Sequence, residues 1–325
     1  MVPMNSNIPQ AEFDKAKDLI FAARNILIIS HKNPDADSIG ANLALKYTLA
    51  SLGKNVQSAA ADPVPSNCRF LKDSDKFLSD FNSNDFDLFI TVDCGGYELM
   101  KFHIQKPELL NRKVLQLINI DHHPSNDFFG NVNIVMPDTP ATCFILYLFF
   151  TYCGWGLSPD SATALLHGLY YDTGSFMHSN TTADTYRIAA RLKANGADHE
   201  RCVREQFHTS SVEKLRLWGR ALERLTRNGK NAIVSAVTES DFRAENTEPE
   251  DLSGLINFIN CVPDSKFTVL LNEDMKGNIK GSLRTLRDDV DLTRVAGLFG
   301  GGGHKKASGF SFPGRLQEKV VWEVK

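Results

Sequence analysis

Residues able to bind cations recur where apolar segments of this sequence stop. His31, Asp35 and Asp37 follow the apolar run 25–30, Asp93 follows 86–92, and Asp121, His122 and His123 follow 114–120. Asp172 closes a later helical pattern. Asp35 and Asp37 are two residues apart, so in an extended turn they point the same way. Converging carboxylates repel unless a proton or a cation lies between them, and the histidine four residues upstream favours the cation. Neighbouring strand ends lie about 5 Å apart, close enough for these side chains to meet in one pocket. His31, Asp35, Asp37, Asp93, His122 and Asp172 are more ligands than one first-row ion uses. They suit two ions sharing a bridging carboxylate, as in two-metal phosphoryl-transfer sites. Oxygen and nitrogen donors without sulfur favour Mn²⁺ or Mg²⁺ and also accept Co²⁺ or Zn²⁺. Taken singly, each residue reads equally well as a helix cap or a satisfied core group. It is the recurrence at successive strand ends that favours a metal centre.

The elements that position these residues follow an α/β rhythm. An amphipathic helix is expected over 12–24 and a buried strand over 25–30. A helix from Ile39 to Leu52 comes next, then strands over 55–60, 86–92 and 114–120. Helical patterns between strands predict right-handed crossovers around a parallel sheet, whose carboxyl edge is where ligands bind. Pro34 stiffens the turn after the first strand, and Gly40 permits close helix approach. Residues 142–157 are the most apolar stretch. They are too short to span a bilayer and read as a buried core helix, with Thr139-Pro140 as its N-cap and first-turn pair. Further helices are expected from Ser158 to Asp172 and from Ala183 to Asn195.

A long charged helix over 211–228 suits a linker, placing a catalytic domain at 1–209, a connecting helix at 210–229 and a smaller α/β domain with a mixed sheet at 230–325. In that domain strands are expected over 231–237, 267–271 and 278–286, helices over 250–260 and 292–299, and a final strand after Gly309.

Composition limits the partners. The chain has 325 residues and a net charge of −3, so no overall basic field draws it onto long nucleic acid. Its six scattered cysteines form no C-x-x-C pair, which fits reduced thiols in the cytoplasm. The polar start, residues 1–10, does not read as a signal peptide. Cys94, next to Asp93, is expected to pack rather than ligate, because the hard ligand set is already complete. Phe176 reads as a base-stacking ring or a core residue, and the remaining histidines, His208 among them, as structural or surface residues.

The run Gly300-Gly301-Gly302-Gly303-His304 permits positive φ and a nest of backbone N–H groups for an anion, although a flexible turn is the commoner meaning of such a run. Arg284, on a predicted strand, can grip a phosphate bidentately.

Asp121-His122-His123, preceded by His31-x-Asn33-Pro34-Asp35-x-Asp37, resembles the signature of the DHH phosphoesterase family. Val92-Asp93 and Asp172 to Phe176 resemble further motifs of that family. Gly281 to Arg284, Gly301 to His304 and Ala307 to Gly309 resemble its associated C-terminal domain. The motifs keep the family's order over nearly the whole chain. The resemblance implies that His31 and Asp35 bind one Mn²⁺, that Asp37, His122 and Asp172 bind another, and that Asp93 bridges them. Asp121 would orient His122, and His123 would face the substrate. A metal-bridging hydroxide would attack phosphorus in line. Arg284, Gly301, Gly302, Gly303 and His304 would hold a second phosphate across a cleft, so that short substrates fit best. The layout implies hydrolysis of short oligonucleotides and nucleotide bisphosphates such as pAp. No membrane role is implied, and a homodimer is compatible. The competing readings are a RecJ-like single-strand exonuclease, a family II pyrophosphatase, a cyclic-dinucleotide phosphodiesterase and a non-catalytic nucleotide-binding regulator.

Overall fold

The computed structural model describes residues 8–111, 113, 115–207 and 210–317, so most of the polar start, position 114 of the strand expected over 114–120, and His208 lie outside the described residues. The chain divides into two compact units, 1–209 and 210–325.

The first unit begins with α1 (Gln10–Ala22), β1 (Asn25–Ser30), α2 (Ala36–Ser51), β2 (Asn55–Ala59), β3 (Leu88–Val92), β4 (Gln116–Asp121) and β5 (Val132–Val135). The strands form one sheet in the order β2-β1-β3-β4-β5, parallel throughout. Period-two alternation divides the strand side chains between two cores. Ile26, Ile28, Leu88, Ile90, Ile118 and Ile120 enter the larger one, and Leu27, Ile29, Phe89 and Leu117 the other. Both faces are buried, which explains the unbroken apolar runs. β5 was not expected. Its four residues alternate between buried and half-buried, too brief a pattern to stand out.

Helices were expected between all the strands, and the structure corrects this. Among the described residues only 3₁₀ turns lie between β2 and β3 and between β3 and β4. Loop aromatics close that face instead: Phe81 packs against Phe102 at 5.0 Å between ring centroids and against Phe86 at 6.1 Å. The larger core is covered by α3 (Thr142–Cys153), α4 (Pro159–Asp172) and α5 (Ala183–Ala194), followed by α6 (His199–Phe207). The apolar helix α3 stops at Gly154, which takes the left-handed conformation at φ 71°. Helices α2 and α4 cross closely because Gly40 lies against the Ala164 carbonyl and Gly168 against Asp37; a Cβ on Gly168 would sit 2.8 Å from Asp37 Oδ1.

The second unit comprises α7 (Val212–Glu223), β6 (Thr226–Arg227), β7 (Ala232–Val237), α8 (Glu239–Glu245), α9 (Leu255–Ile259), β8 (Phe267–Glu273), β9 (Asn278–Arg284), α10 (Leu292–Gly297), β10 (Gly302–His304) and β11 (Ala307–Pro313). The sheet order is β10-β11-β9-β8-β7-β6. It is mixed, with only β7 and β8 parallel. The helix expected over 211–228 is shorter, because Thr226 and Arg227 pair with β7. Its Leu217 and Ala221 are buried with Phe242 and Leu255 in this unit's own core. The helix expected over 250–260 is broken by Gly254, at φ 92°, into a 3₁₀ turn and α9. Helix α8, unexpected from the sequence, is started by a capping box between Thr238 and Asp241. Among the described residues no helix is long and apolar enough to cross a membrane.

Candidate metal centre

Every predicted ligand lies at the carboxyl edge of the first sheet or on a helix end beside it. His31 follows β1, Asp35 is the N-cap of α2, Asp37 lies in its first turn, Asp93 follows β3, Asp121 ends β4 and Asp172 ends α4. Three groups of potential ligand atoms form: His31, Asp35 and Asp93; Asp37, His122 and Asp172; and Asp93, His122 and His123. Asp93 links them, with Oδ2 3.3 Å from His31 Nε2 and Oδ1 3.5 Å from His122 Nε2. His122 Nε2 is also 3.2 Å from Asp172 Oδ2. Asp93 is 2% exposed and its φ is 57°, a conformation costly for a non-glycine residue and common at functional sites.

The imidazoles share one design. His31 Nδ1 donates to the Lys32 carbonyl at 2.7 Å, and His122 Nδ1 to the Thr139 carbonyl at 3.4 Å. A carbonyl can only accept, so Nδ1 carries a hydrogen and Nε2 is the ring nitrogen that faces the carboxylates, the arrangement of metal-ligating histidines. His123 Nδ1 donates to Asp121 Oδ1 at 2.8 Å.

Asp121 therefore orients His123, not His122 as the resemblance implied. The rings of His122 and His123 lie 4.5 Å apart, but His122 Nδ1 faces the Thr139 carbonyl and leaves Asp121 to His123. Asn126 Nδ2 holds the second oxygen of Asp121 at 2.6 Å. His123 also stands 3.7 Å from Asp93, so it adjoins the ligand groups as well as being 30% exposed.

Asp35 and Asp37 do not point the same way, because the turn is helical rather than extended. Asp35 Oδ1 accepts the N–H groups of Asp37 and Ser38, each at 3.0 Å, so it caps α2 while adjoining His31. Asp37 reaches across to α3, where it accepts the N–H of Thr142 at 2.6 Å and of Cys143 at 3.0 Å. The expected Thr139-Pro140 cap is thus replaced: the N-cap of α3 is Ala141, and the acceptor comes from α2. The Thr142 hydroxyl donates to Asp93 Oδ1 at 3.0 Å. Thr142, Cys143 and Asn126 carry no signal in sequence: the partners of the first two are 49 to 106 residues away, and Asn126 itself lies in an irregular turn.

Burial and mutual repulsion set the charges. Burial and then the Asp93 charge push Asp37 up to about 7. Burial followed by Asp37, Asp35 and Asp93 pushes Asp172 well up, and Asp35 rises through burial and Asp93. Burial alone would raise Asp93, but hydrogen bonding to His31 and the three imidazoles hold it below the usual carboxylate range. Burial opposes the charge of His31, yet Asp93 and Asp35 raise it to about 9; burial likewise opposes His123, which Asp121 and Asp93 raise to about 9. Several carboxylates held this close need positive charge among them. Cys94 is buried, donates to the Gly96 carbonyl and belongs to none of the groups. Phe176 packs between Tyr170 and Tyr186.

In the second unit, the register places Arg284 opposite Ala307 and Ala307 opposite His304. Residues directly opposite share a face, so Arg284 and His304 lie on one sheet face two strands apart, about 10 Å. Arg284 Nε donates to Asn257 Oδ1 at 3.0 Å. The glycine run is not a nest of consecutive N–H groups. The N–H groups of Gly300 and Gly301 cap α10, bonding to the Gly297 and Ala296 carbonyls at 3.1 and 2.9 Å, and Gly302 and Gly303 enter the edge strand β10. Glycine is needed where Gly301 lies against the Gly309 carbonyl and where Gly303 takes a φ of 136°.

A parallel sheet with these groups at its carboxyl edge, followed by a mixed-sheet unit, defines the class. Residues 25–169 match the DHH family, N-terminal domain, and residues 229–323 match the DHHA1 domain. The chain belongs to the DHH family. It is 30% identical to the bifunctional oligoribonuclease and PAP phosphatase NrnA of Thermus thermophilus, over 99% of this chain and 97% of that one. It is 26% identical to the protein of the same name in Mycoplasma genitalium, over 87% of each. An exopolyphosphatase-related protein from Bacteroides fragilis superposes with a TM-score of 0.88 at 25% identity, covering 96% of this chain and 94% of that one. RecJ from Thermus thermophilus in complex with Mn²⁺ shares the fold, with a TM-score of 0.53 at 16% identity, covering 95% of this chain and 53% of RecJ.

Proposed function

We propose that the chain is a two-metal phosphoesterase that hydrolyses short oligonucleotides and pAp to mononucleotides. The observation that carries this reading is the position of Asp93 between His31 and His122, one carboxylate oxygen toward each. His31 and Asp35 hold one ion, Asp37, His122 and Asp172 the other, and Asp93 bridges. The donor set fits: the Nε2 atoms of two imidazoles face carboxylates that repel one another without a cation. Such a set of hard oxygen and borderline nitrogen donors suits Mn²⁺ first, with Mg²⁺ or Co²⁺ as alternatives. Bound there, the ions supply Lewis-acid polarisation of a phosphate oxygen and lower the pKa of a water.

The chain's own residues do the rest. Asp121 fixes Nδ1–H of His123, so that Nε2 is the ring atom that exchanges a proton with, or donates to, the phosphate or leaving oxygen. Arg284 and His304, on one sheet face, bind a second phosphate by charge-assisted hydrogen bonds. Gly301, Gly302 and Gly303 serve this by keeping the edge strand beside His304 free of side chains.

The relatives named above support the substrate class, and the complete ligand set argues against a regulator without catalysis. The test is a substrate panel with Mn²⁺: pAp, pApA, a five-nucleotide RNA, a 24-nucleotide DNA, c-di-AMP and pyrophosphate. The proposal expects turnover of the first three. Preference for the long DNA, c-di-AMP or pyrophosphate would transfer the chain to one of the competing activities.

A further inference from the structure

The loop from His31 to Asp35 is held from outside by residues that touch no proposed ligand. Asp62, after β2, receives Lys101 Nζ at 2.8 Å on each carboxylate oxygen, and its Oδ2 also accepts the Asn33 N–H at 2.8 Å. The Lys32 N–H donates to the Leu99 carbonyl at 2.6 Å. Asn33 and Lys101 both sit at positive φ, 48° and 60°, conformations that persist only where the surroundings fix them.

One planar group connects this anchor to the metal centre. The Lys32 carbonyl and the Asn33 N–H belong to the same peptide unit. Its oxygen accepts from His31 Nδ1 at 2.7 Å, and its N–H donates to Asp62. Any rotation of that peptide that releases Asp62 also turns the carbonyl away from His31. The imidazole then loses the acceptor that keeps hydrogen on Nδ1 and leaves Nε2 for a metal.

We propose that Asp62, locked by Lys101, is a positioning residue that sets the His31 imidazole for metal binding through the peptide between Lys32 and Asn33. This rests on the two-metal reading above. Lys101 is 42% exposed and Asp62 22%, so the ion pair itself adds little stability. Its role is directional: two bonds from one ammonium hold the carboxylate so that Oδ2 faces Asn33.

The experiment is a calorimetric Mn²⁺ titration of the chelated full chain, with thermal unfolding of each metal-free protein alongside. Wild type is compared with Asp62→Ala, Asp62→Asn and Lys101→Ala. Loss of a partner behind a ligating histidine typically costs about 10- to 100-fold in metal affinity. Asp62→Ala is expected to weaken one of the two Mn²⁺ steps by that order while the other step and the metal-free Tm stay near wild type. Asp62→Asn, which keeps an acceptor for Asn33, is expected to fall between Asp62→Ala and wild type, and so is Lys101→Ala. Wild-type affinities at both steps in Asp62→Ala and Lys101→Ala would overturn the proposal. So would equal weakening of both steps with a lowered Tm, the signature of a purely structural residue. A wild type that binds no second Mn²⁺ would overturn the two-metal reading itself, and the positioning role with it.

Discussion

Asp37 caps the helix that begins at Thr142. Its two oxygens accept the N–H groups of Thr142 and Cys143 at 2.6 and 3.0 Å, although the two segments are 105 residues apart in sequence. Helix N-termini attract negative charge, so α3 stabilises the carboxylate that the metal centre needs and is held in place by it. Thr142 adds a hydroxyl bond to Asp93, so one helix end supports both ligand groups.

This coupling gives the metal-free protein a definite pH dependence. Asp37, raised from 3.8 to about 7, contributes stability that is present at low pH and lost as pH rises through about 7. His31 and His123, raised from 6.5 to about 9, contribute stability that is present below 6.5 and lost as pH rises through about 9. Asp93, held low, is already ionised across this range. Buried His167, lowered by desolvation to about 4, works in the opposite direction below pH 6.5, so the Tm of chelated protein should fall between about pH 6.5 and about pH 9, and saturating Mn²⁺ should flatten the slope. A chelated Tm that rises over this interval would contradict the charge arrangement.

His123 separates chemistry from metal binding. His123→Ala should lower kcat on pApA while Mn content stays close to two per chain by elemental analysis. Asp121→Asn should lower kcat in the same direction, because it weakens the bond that fixes His123 Nδ1–H. Loss of one Mn in His123→Ala would make His123 a ligand, a role that its place in one group of potential ligand atoms with Asp93 and His122 allows.

Gly168 tests the packing beneath the centre. A Cβ there would meet Cys143 Sγ and stand 2.8 Å from Asp37 Oδ1 and 2.9 Å from Asp37 Cα. Overpacking of a tight core costs about 1–3 kcal/mol. Gly168→Ala should lose stability of that order by urea denaturation and should also weaken Mn²⁺ binding. Unchanged stability would show that α2 and α4 can separate without disturbing Asp37.

Arg284 tests the second unit's role. Losing a charge-assisted hydrogen bond costs roughly 1.5–3 kcal/mol, about ten- to a hundredfold in kcat/KM. Arg284→Ala should weaken hydrolysis of pAp and pApA by that order. Bis-p-nitrophenyl phosphate, which has no second phosphate, should be much less affected. Equal loss on all three would indicate a general defect, and no loss would place the second-phosphate grip elsewhere.

The strand-end residues were legible because each apolar run stops abruptly at Asp or His, and a parallel sheet gathers such ends on one edge. Gly40 was legible for a similar local reason, and the structure sets it against Ala164. The partner of Asp121 was taken from the resemblance as His122, and the structure gives it His123 instead. The cap on α3 could not be read locally, because its acceptor comes from α2. The glycine run read as a nest or a flexible turn, and its pairing with Ala307 to Gly309 makes its end an edge strand instead. Phe86, read as the start of the strand, lies just before β3 and is buried with Phe81 and Phe102 from its flanking loops, rings spaced too irregularly to show a period.

The central claim is that hydrolysis depends on ions gathered around Asp93. The most direct measurement is the rate of pApA hydrolysis by wild type before chelation, after EDTA treatment and dialysis, and after Mn²⁺ is restored, with Asp93→Ala in parallel. The account predicts that activity is lost on chelation and recovered with Mn²⁺ in wild type, and that Asp93→Ala stays inactive throughout. A chelated protein that still hydrolyses pApA at the untreated rate, or an Asp93→Ala variant as active as wild type, would contradict it.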